Sequence, residues 1–391
     1  MKNYFIYRIK HSFFIKKLYI LLGSIIFGFL NRLIKKDKQL ILFVSSTGKS
    51  FGGSPYDIYK YIELNSKYRN YKFIWAFEDI NKFPLKRDFR HKIVKMDSLR
   101  YFYISMKAKY WVTDVNIERS LNYKSKGNIY LNTWHGVALK KIGNDDKFSG
   151  RYDYSNIDYL CVSGEHDKDV YSSALNATSS SFLECGMPRN DQLFNTTEED
   201  NNRLRNKLGL PLNKKIMLYA PTWRDSDNNG VSYDIKIPIN FKKWKEQLGN
   251  NWVVLFRAHD RTTKLLDLEF DDFIQDYSKY PQLNDLLIVS DLLITDYSSI
   301  IFDYAILRKP FLSFGYDYDT YRTERGFYID INRIFPYGVI DNEAQLLELI
   351  KEYDFNELNK KLDLIDTYYM NYSKGRATEI CVEKLLGDKI D

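Results

Sequence analysis

Ile129-Tyr130-Leu131-Asn132-Thr133-Trp134-His135-Gly136 reads as a short buried strand that ends in a polar, chemically capable segment. A histidine between an indole and a glycine, beyond the carboxyl end of a strand, stands where ligands collect in open α/β sheets. The same pattern recurs downstream. Trp252 to Phe256 leads into Arg257-Ala258-His259, Lys215 to Tyr219 leads into Ala220-Pro221-Thr222-Trp223-Arg224, and Leu292 to Thr295 leads into Asp296-Tyr297-Ser298-Ser299. Strands whose polar residues all follow the last apolar position converge on one edge of a sheet.

Outward from these segments, β-rich runs alternate with helical periods from Gln39 onward. Candidate strands are Leu40 to Val44, Lys72 to Phe77, Lys92 to Lys95, Tyr110 to Thr113, Asn128 to Leu131, Tyr159 to Val162 and Phe182 to Glu184, then a second series with Phe311 to Phe314 as its last member. Strands separated by helices form a parallel sheet. A polar stretch, Asn195 to Lys207, followed by Gly209, Pro211 and Asn213, marks a boundary. The expected class is α/β: an N-terminal segment 1–36, a Rossmann-like domain 37–208, and a second Rossmann-like domain 209–391 that carries the C-terminal helices, the two domains facing a central cleft. A chain of 391 residues suits two such cores. No internal repeat or low-complexity tract is visible.

Hydrophobic content of 44% and charge of 28% describe a globular chain, and a net charge of +7 favours anionic partners. The cysteines, Cys161, Cys185 and Cys381, are odd in number and lack metal-ligand spacing, which argues against a disulfide framework or a zinc site. At the N-terminus, Arg8, Lys10, Lys16 and Lys17 precede the mostly apolar run Leu18 to Leu30, and Arg32, Lys35 and Lys36 follow it. That run covers about 20 Å as a helix, short of a hydrocarbon core of about 30 Å. Basic flanks around a short apolar helix fit one lying in the surface of an anionic membrane. The competing reading is a helix buried against the protein's own core.

Two motifs invite a nucleotide or metal assignment and fail it. Ser46-Thr47-Gly48-Lys49-Ser50 follows the first strand, but Phe43 stands where a phosphate-cradling loop needs glycine. Gly48, Gly52 and Gly53 read instead as a flexible loop at the cleft. Asp317-Tyr318-Asp319 resembles a metal-holding Asp-x-Asp, yet aspartates here more naturally begin the helix that continues through Arg325. Arg224 and Arg257 offer forked donors to phosphate oxygens, and Ser298 and Ser299 add hydroxyls where a helix opens. The bland readings are a salt bridge for Arg257, a cap for Ser298, and a backbone-bonded structural role for His135.

Together, WHG with its following LKKIG, GMPRND at Gly186 to Asp191, YAPTWR, RAH, and SDLLITDYSSIIFDYA through RGFYID resemble the CDP-glycerol glycerophosphotransferase family of teichoic acid synthesis. The resemblance implies a GT-B fold and transfer of a polyol phosphate, glycerol phosphate before ribitol phosphate, from CDP-glycerol or CDP-ribitol to a lipid-linked saccharide acceptor, with release of CMP. It places the protein peripherally on the cytoplasmic face of the cell membrane, with no nucleic-acid partner, and implies no firm cofactor or metal. Matched residue by residue, His135 is the general base. His259 holds the donor diphosphate or assists the departing CMP. Arg224, Arg257, Asp296, Ser298 and Ser299 form the phosphate site, Asp303 faces the ribose hydroxyls, and Trp134, Gly136 and Lys140 line the acceptor side. An imidazole with an ordinary pKa near 6.5 suits removal of an alcohol proton near neutral pH.

The chain departs from the family pattern at Val137-Ala138, where Thr-Pro is usual, and at Asp260-Arg261, where proline is usual after the second histidine. These changes leave the polyol and acceptor open, ribitol phosphate and a capsular polymer included. The absence of a long N-terminal extension points to single addition over chain growth. Two other classes stay open: a GT-B glycosyltransferase using a nucleotide-sugar, and a catalytically silent membrane-surface binding protein.

Overall fold

The computed structural model describes residues 13–83, 85–146, 152–222, 234–258, 264–266 and 268–387. Seven strands, β1 (Asp37–Val44), β2 (Lys72–Phe77), β3 (His91–Lys95), β4 (Ala108–Thr113), β5 (Ile129–Asn132), β6 (Tyr159–Val162) and β7 (Phe182–Glu184), form one parallel sheet in the order β3-β2-β1-β4-β5-β6-β7. A second set comprises β8 (Lys215–Ala220), β9 (Asp234–Lys236), β10 (Trp252–Phe256), β11 (Lys264–Leu266), β12 (Ile274–Asp276), β13 (Leu292–Thr295), β14 (Phe311–Phe314) and β15 (Val339–Ile340). Six of these make a parallel sheet in the order β12-β10-β8-β13-β14-β15, while β9 and β11 pair separately. Strand order therefore reverses between β1 and β4 in the first sheet and between β8 and β13 in the second. Both reversals open a crevice at the carboxyl ends of the strands, the position where doubly wound sheets bind ligands.

Continuous apolar runs make these strands. β1 contributes Ile41, Leu42, Phe43 and Val44, and β8 contributes Ile216, Met217 and Leu218, all fully buried, as strands covered by helices on both faces require. The expected strands are present, with ends shifted by a few residues; β9, β11, β12 and β15, each two or three residues long, are additions.

Two helices depart from the expected domain limits. The polar stretch 195–207 forms the helix Glu198–Leu208, opened by a reciprocal Thr197/Asp200 cap and closed by Gly209 in the left-handed region (φ 68°). Its Leu204 packs in the second core, with Leu193 and Leu210, and Arg205 reaches Asp291 Oδ2 (2.7 Å) and the carbonyl of Val289 (3.0 Å). The final helix, Ala377–Leu386, does the reverse. Ala377, Cys381, Val382 and Leu385 join the first core beside Ile41, Phe43 and Tyr59, and Asp191 receives the N–H groups of Ala377 and Thr378 at 2.9 and 2.7 Å. Apolar residues every three or four positions identify such a helix, but not the sheet on which it lies.

The N-terminal helix Phe13–Leu33 is partly docked. Asn31 is buried and donates to the Tyr123 carbonyl (2.7 Å) and Asn128 Oδ1 (2.9 Å). Phe27 meets Phe102 with centroids 4.9 Å apart, and Asn122 N–H donates to Ser24 Oγ at 3.0 Å. The opposite side is bare: Leu21, Leu22, Ile25, Ile26, Phe29 and Leu33 are all exposed. Among the described residues, no helix is long and apolar enough to cross a membrane.

Candidate active site

β5 ends at Asn132, and the chain then takes an unusual path. Trp134 adopts φ 51° and Gly136 φ 155°, so the peptide units on both sides of His135 turn sharply. Asn132 Oδ1 accepts the Trp134 N–H (2.8 Å), and its amide donates to the Val115 carbonyl (2.6 Å), tying the turn to the loop after β4. The buried Trp134 indole stacks on the imidazole, centroids 4.2 Å apart. A Cβ on Gly136 would come within 2.8 Å of Ser299 Oγ, which belongs to the other half. Only hydrogen fits where the two halves approach this closely.

His135 Nδ1 lies 2.8 Å from the backbone carbonyl of Asp114. A carbonyl can only accept, so Nδ1 carries the proton, and in the neutral ring the lone pair is on Nε2. The residue remains open to solvent while protein surrounds the rest of it. This partial burial lowers the imidazole pKa from its usual value; the nearby Arg189 also lowers it, and Asp114 opposes both. These influences together favour the neutral imidazole. The Asp114 carboxylate is buried, which raises its pKa, and accepts from Ser45 Oγ (3.1 Å) and Ser46 N–H (2.8 Å). It joins the loops after β1 and β4 across the crevice of the first sheet.

The second crevice uses the same device. Buried Asp296, just after β13, accepts the Thr222 N–H at 2.9 and 3.0 Å through its two oxygens and the Tyr297 N–H at 2.6 Å. These bonds hold the loop after β8 against the end of β13. Ser298 Oγ accepts the Ile300 N–H at 3.3 Å, in keeping with the capping alternative. Ser299 stands at the start of the short helix Ile300–Ala305 and faces Gly136. Arg257 donates to the carbonyls of Tyr277 (3.2 Å) and Tyr280 (2.6 Å), clamping the backbone after β12. Arg224 and His259 lie outside the described residues.

The Asp303 carboxylate is buried and accepts from Arg189 Nη2 (2.7 Å) and Asn190 Nδ2 (2.8 Å) of the first half, a contact between halves. The same guanidinium donates through Nη1 to the His135 carbonyl at 2.9 Å, and Asn284 donates to the Arg189 carbonyl at 2.6 Å. Arg189 therefore connects the turn that carries His135 to the second half. Lys140 is a seam residue as well: it bridges Phe327 in antiparallel fashion and places Nζ 3.2 Å from Tyr321 Oη. Val137 and Leu139 are buried in the second core, while Trp134 and Ala138 belong to the first. The apolar Val137 in place of a threonine follows from that burial.

Two further readings change. Gly48 has φ 84°, and a Cβ there would meet Met96 Cγ at 2.5 Å and Glu78 N at 2.8 Å, so it packs against protein instead of opening toward a substrate. Asp317 does precede the helix Tyr318–Arg325, but makes no side-chain cap; it accepts from Tyr297 Oη at 2.7 Å. The sequence reading missed Asp114 and Arg189. Arg189 lies inside the quoted GMPRND segment, which was its available signal.

Residues 26–387 match the CDP-Glycerol:Poly(glycerophosphate) glycerophosphotransferase family. The chain is 30% identical over 375 residues to the teichoic acid glycerol-phosphate transferase of Staphylococcus aureus, covering 88% of this chain and 92% of that one. It is 30% identical to the teichoic acid poly(glycerol phosphate) polymerase of Bacillus spizizenii, covering 95% and 98%. A solved structure of the wall teichoic acid polymerase TagF, soaked with CDPG, superposes with a TM-score of 0.82 at 29% identity over 95% of each chain. With two parallel sheets, a histidine presented at the crevice of the first and a match over nearly its whole length, the chain belongs to the CDP-glycerol:poly(glycerophosphate) glycerophosphotransferase family and is a GT-B-like phosphotransferase.

Proposed function

We infer that this enzyme transfers glycerol phosphate from CDP-glycerol to a hydroxyl of a lipid-linked acceptor in teichoic acid synthesis, with His135 as general base. The observation that carries the reading is the fixed tautomer. The Asp114 carbonyl holds the proton on Nδ1 and leaves Nε2 to take the acceptor's hydroxyl proton. As that proton leaves, the acceptor oxygen bonds to the glycerol-bearing phosphorus. The bond from this phosphorus to the bridging oxygen breaks, and its electron pair departs on CMP. Ser299, across from Gly136, and its neighbour Ser298 are assigned to the donor side. Arg224 and His259 are assigned to the donor phosphates by family resemblance alone.

In this reading the helix Phe13–Leu33 lies on the cytoplasmic membrane surface, where the acceptor is carried. Its bare stripe, Leu21, Leu22, Ile25, Ile26, Phe29 and Leu33, has the composition of a face that enters the headgroup boundary. A cavity of about 460 Å³ lined by Ile34, Lys35, Lys36, Asp37, Tyr103 and Lys107 lies at the end of this helix and adds positive charge for anionic lipid.

The test is CMP release from CDP-glycerol, with CDP-ribitol and UDP-sugars in parallel, by wild type and His135→Ala. Transfer from CDP-glycerol should fall by about 10² to 10⁴ in the variant, with donor binding retained. A wild-type rate in His135→Ala removes the base assignment, and turnover of a UDP-sugar alone removes the donor assignment.

A further inference from the structure

Cys381 is 196 residues from Cys185 and 220 from Cys161, a separation that shows nothing in the sequence. In the fold, Cys161 comes from β6, Cys185 from the residue after β7, and Cys381 from the helix that returns from the second half. Their sulfurs lie 3.4 Å (Cys161–Cys381) and 3.9 Å (Cys185–Cys381) apart, and all three fall within 4.8 Å of one another. The residues are 0%, 1% and 0% exposed, among Leu131, Leu183 and Val382.

Three thiolates around one ion, with metal–sulfur bonds of about 2.3 Å, stand about 3.8 to 4.0 Å apart. The Cys161–Cys381 and Cys185–Cys381 separations lie within about half an ångström of that arrangement. A disulfide requires about 2.05 Å, so Cys161 and Cys381 would have to close by more than an ångström, and the third sulfur would be left over.

We propose that Cys161, Cys185 and Cys381 form a three-thiolate site for a soft d¹⁰ metal ion that accepts three ligands, copper(I) above zinc. Thiolates select these ions. Structural zinc takes four ligands, and among the described residues no His, Asp or Glu joins the three sulfurs. Each metal–sulfur bond forms as the sulfur, where still protonated, gives its proton to solvent, and no electron is transferred. The bound ion fastens the closing helix to the first sheet. Because it binds the folded chain, it raises the thermal midpoint. This site uses none of the residues assigned to transfer.

The full-length protein, fully reduced and anaerobic, would be titrated with copper(I) against a competing chelator, and separately with zinc(II). The expected result is one copper(I) per chain, a sulfur-to-metal charge-transfer band, and a higher thermal midpoint. Uptake should be at least tenfold weaker in Cys185→Ala and Cys381→Ala, which keep their CMP release. Absence of stoichiometric uptake by wild type overturns the proposal, as does equal uptake by the folded alanine variants or failure of the ion to protect the thiols from alkylation. The wild-type titration and thiol protection decide the matter even if a variant fails to fold.

Discussion

Replacing Arg189 by methionine tests the connection between the two halves and the base in one experiment. The side chain is 18% exposed and its partner Asp303 only 5%, so the substitution leaves a buried carboxylate supported by Asn190 alone. Breaking such a pair costs about 3 to 5 kcal/mol. Methionine keeps the apolar contacts of the stem, so the loss reports on charge. A second effect follows at His135. The Arg189 charge helps hold the imidazole pKa below its usual value, and its removal lets that pKa rise. General base catalysis needs the neutral ring, so the acid limb of kcat/KM for CMP release should lie below pH 6.5 in wild type and move upward in Arg189→Met. Arg189→Lys restores a charge but not the fork, so it should recover part of the pH shift and little of the geometry. A merely structural arginine would change the urea midpoint without moving the pH profile. If Arg189→Met keeps both its acid limb and its stability, the arginine neither tunes the base nor joins the halves.

Asp114→Asn should act in the opposite sense, since the carboxylate opposes the lowering of the His135 pKa; the acid limb should move further down, and an upward shift in the pH–rate profile would contradict this. Buried Asp167 accepts the Ser163 N–H at 2.8 Å, and burial raises its pKa to about 7. Its folded pKa lies above the unfolded value near 3.9, so stability falls as pH rises between them. Asp167→Asn should therefore flatten this slope and gain stability at pH 8 relative to wild type, as read from urea midpoints at pH 5 and 8. Changing Leu22, Ile25, Ile26 and Phe29 together to serine should leave CMP release from a soluble acceptor intact and abolish cosedimentation with anionic liposomes. Persistent cosedimentation of the folded variant would place membrane contact elsewhere. Substitution is the sharper tool here than deletion through Lys36, whose ammonium donates to the Met106 carbonyl at 2.5 Å.

Local pattern made the strands legible. An unbroken run such as Leu40 to Val44 has one use in a sheet covered on both faces, and the observed β1 contains it. His135 was legible for a related reason: its neighbours Trp134 and Gly136 already describe a turn that presents a side chain. The rest depends on contacts far apart in sequence. Asp303 meets Arg189, 114 positions earlier in the chain. Asp114 holds the His135 ring through a backbone carbonyl, a group every residue has. Val339–Ile340 is too short to carry a period. The cysteine intervals are silent on the convergence of these sulfurs, which meet through tertiary packing.

The return of Ala377–Leu386 to the first sheet sets the order in which a new molecule can be completed on the ribosome. The half made first lacks part of its core until the last segment is synthesised, because Cys381, Val382 and Leu385 cover Ile41 and Phe43. The second half holds its own strands in one stretch of chain and also takes the helix Glu198–Leu208 that precedes them. The domain translated first is thus the one finished last. A chain stopped before Ala377 would leave apolar surface uncovered on the half that carries His135, far from the missing codons in sequence and next to them in space.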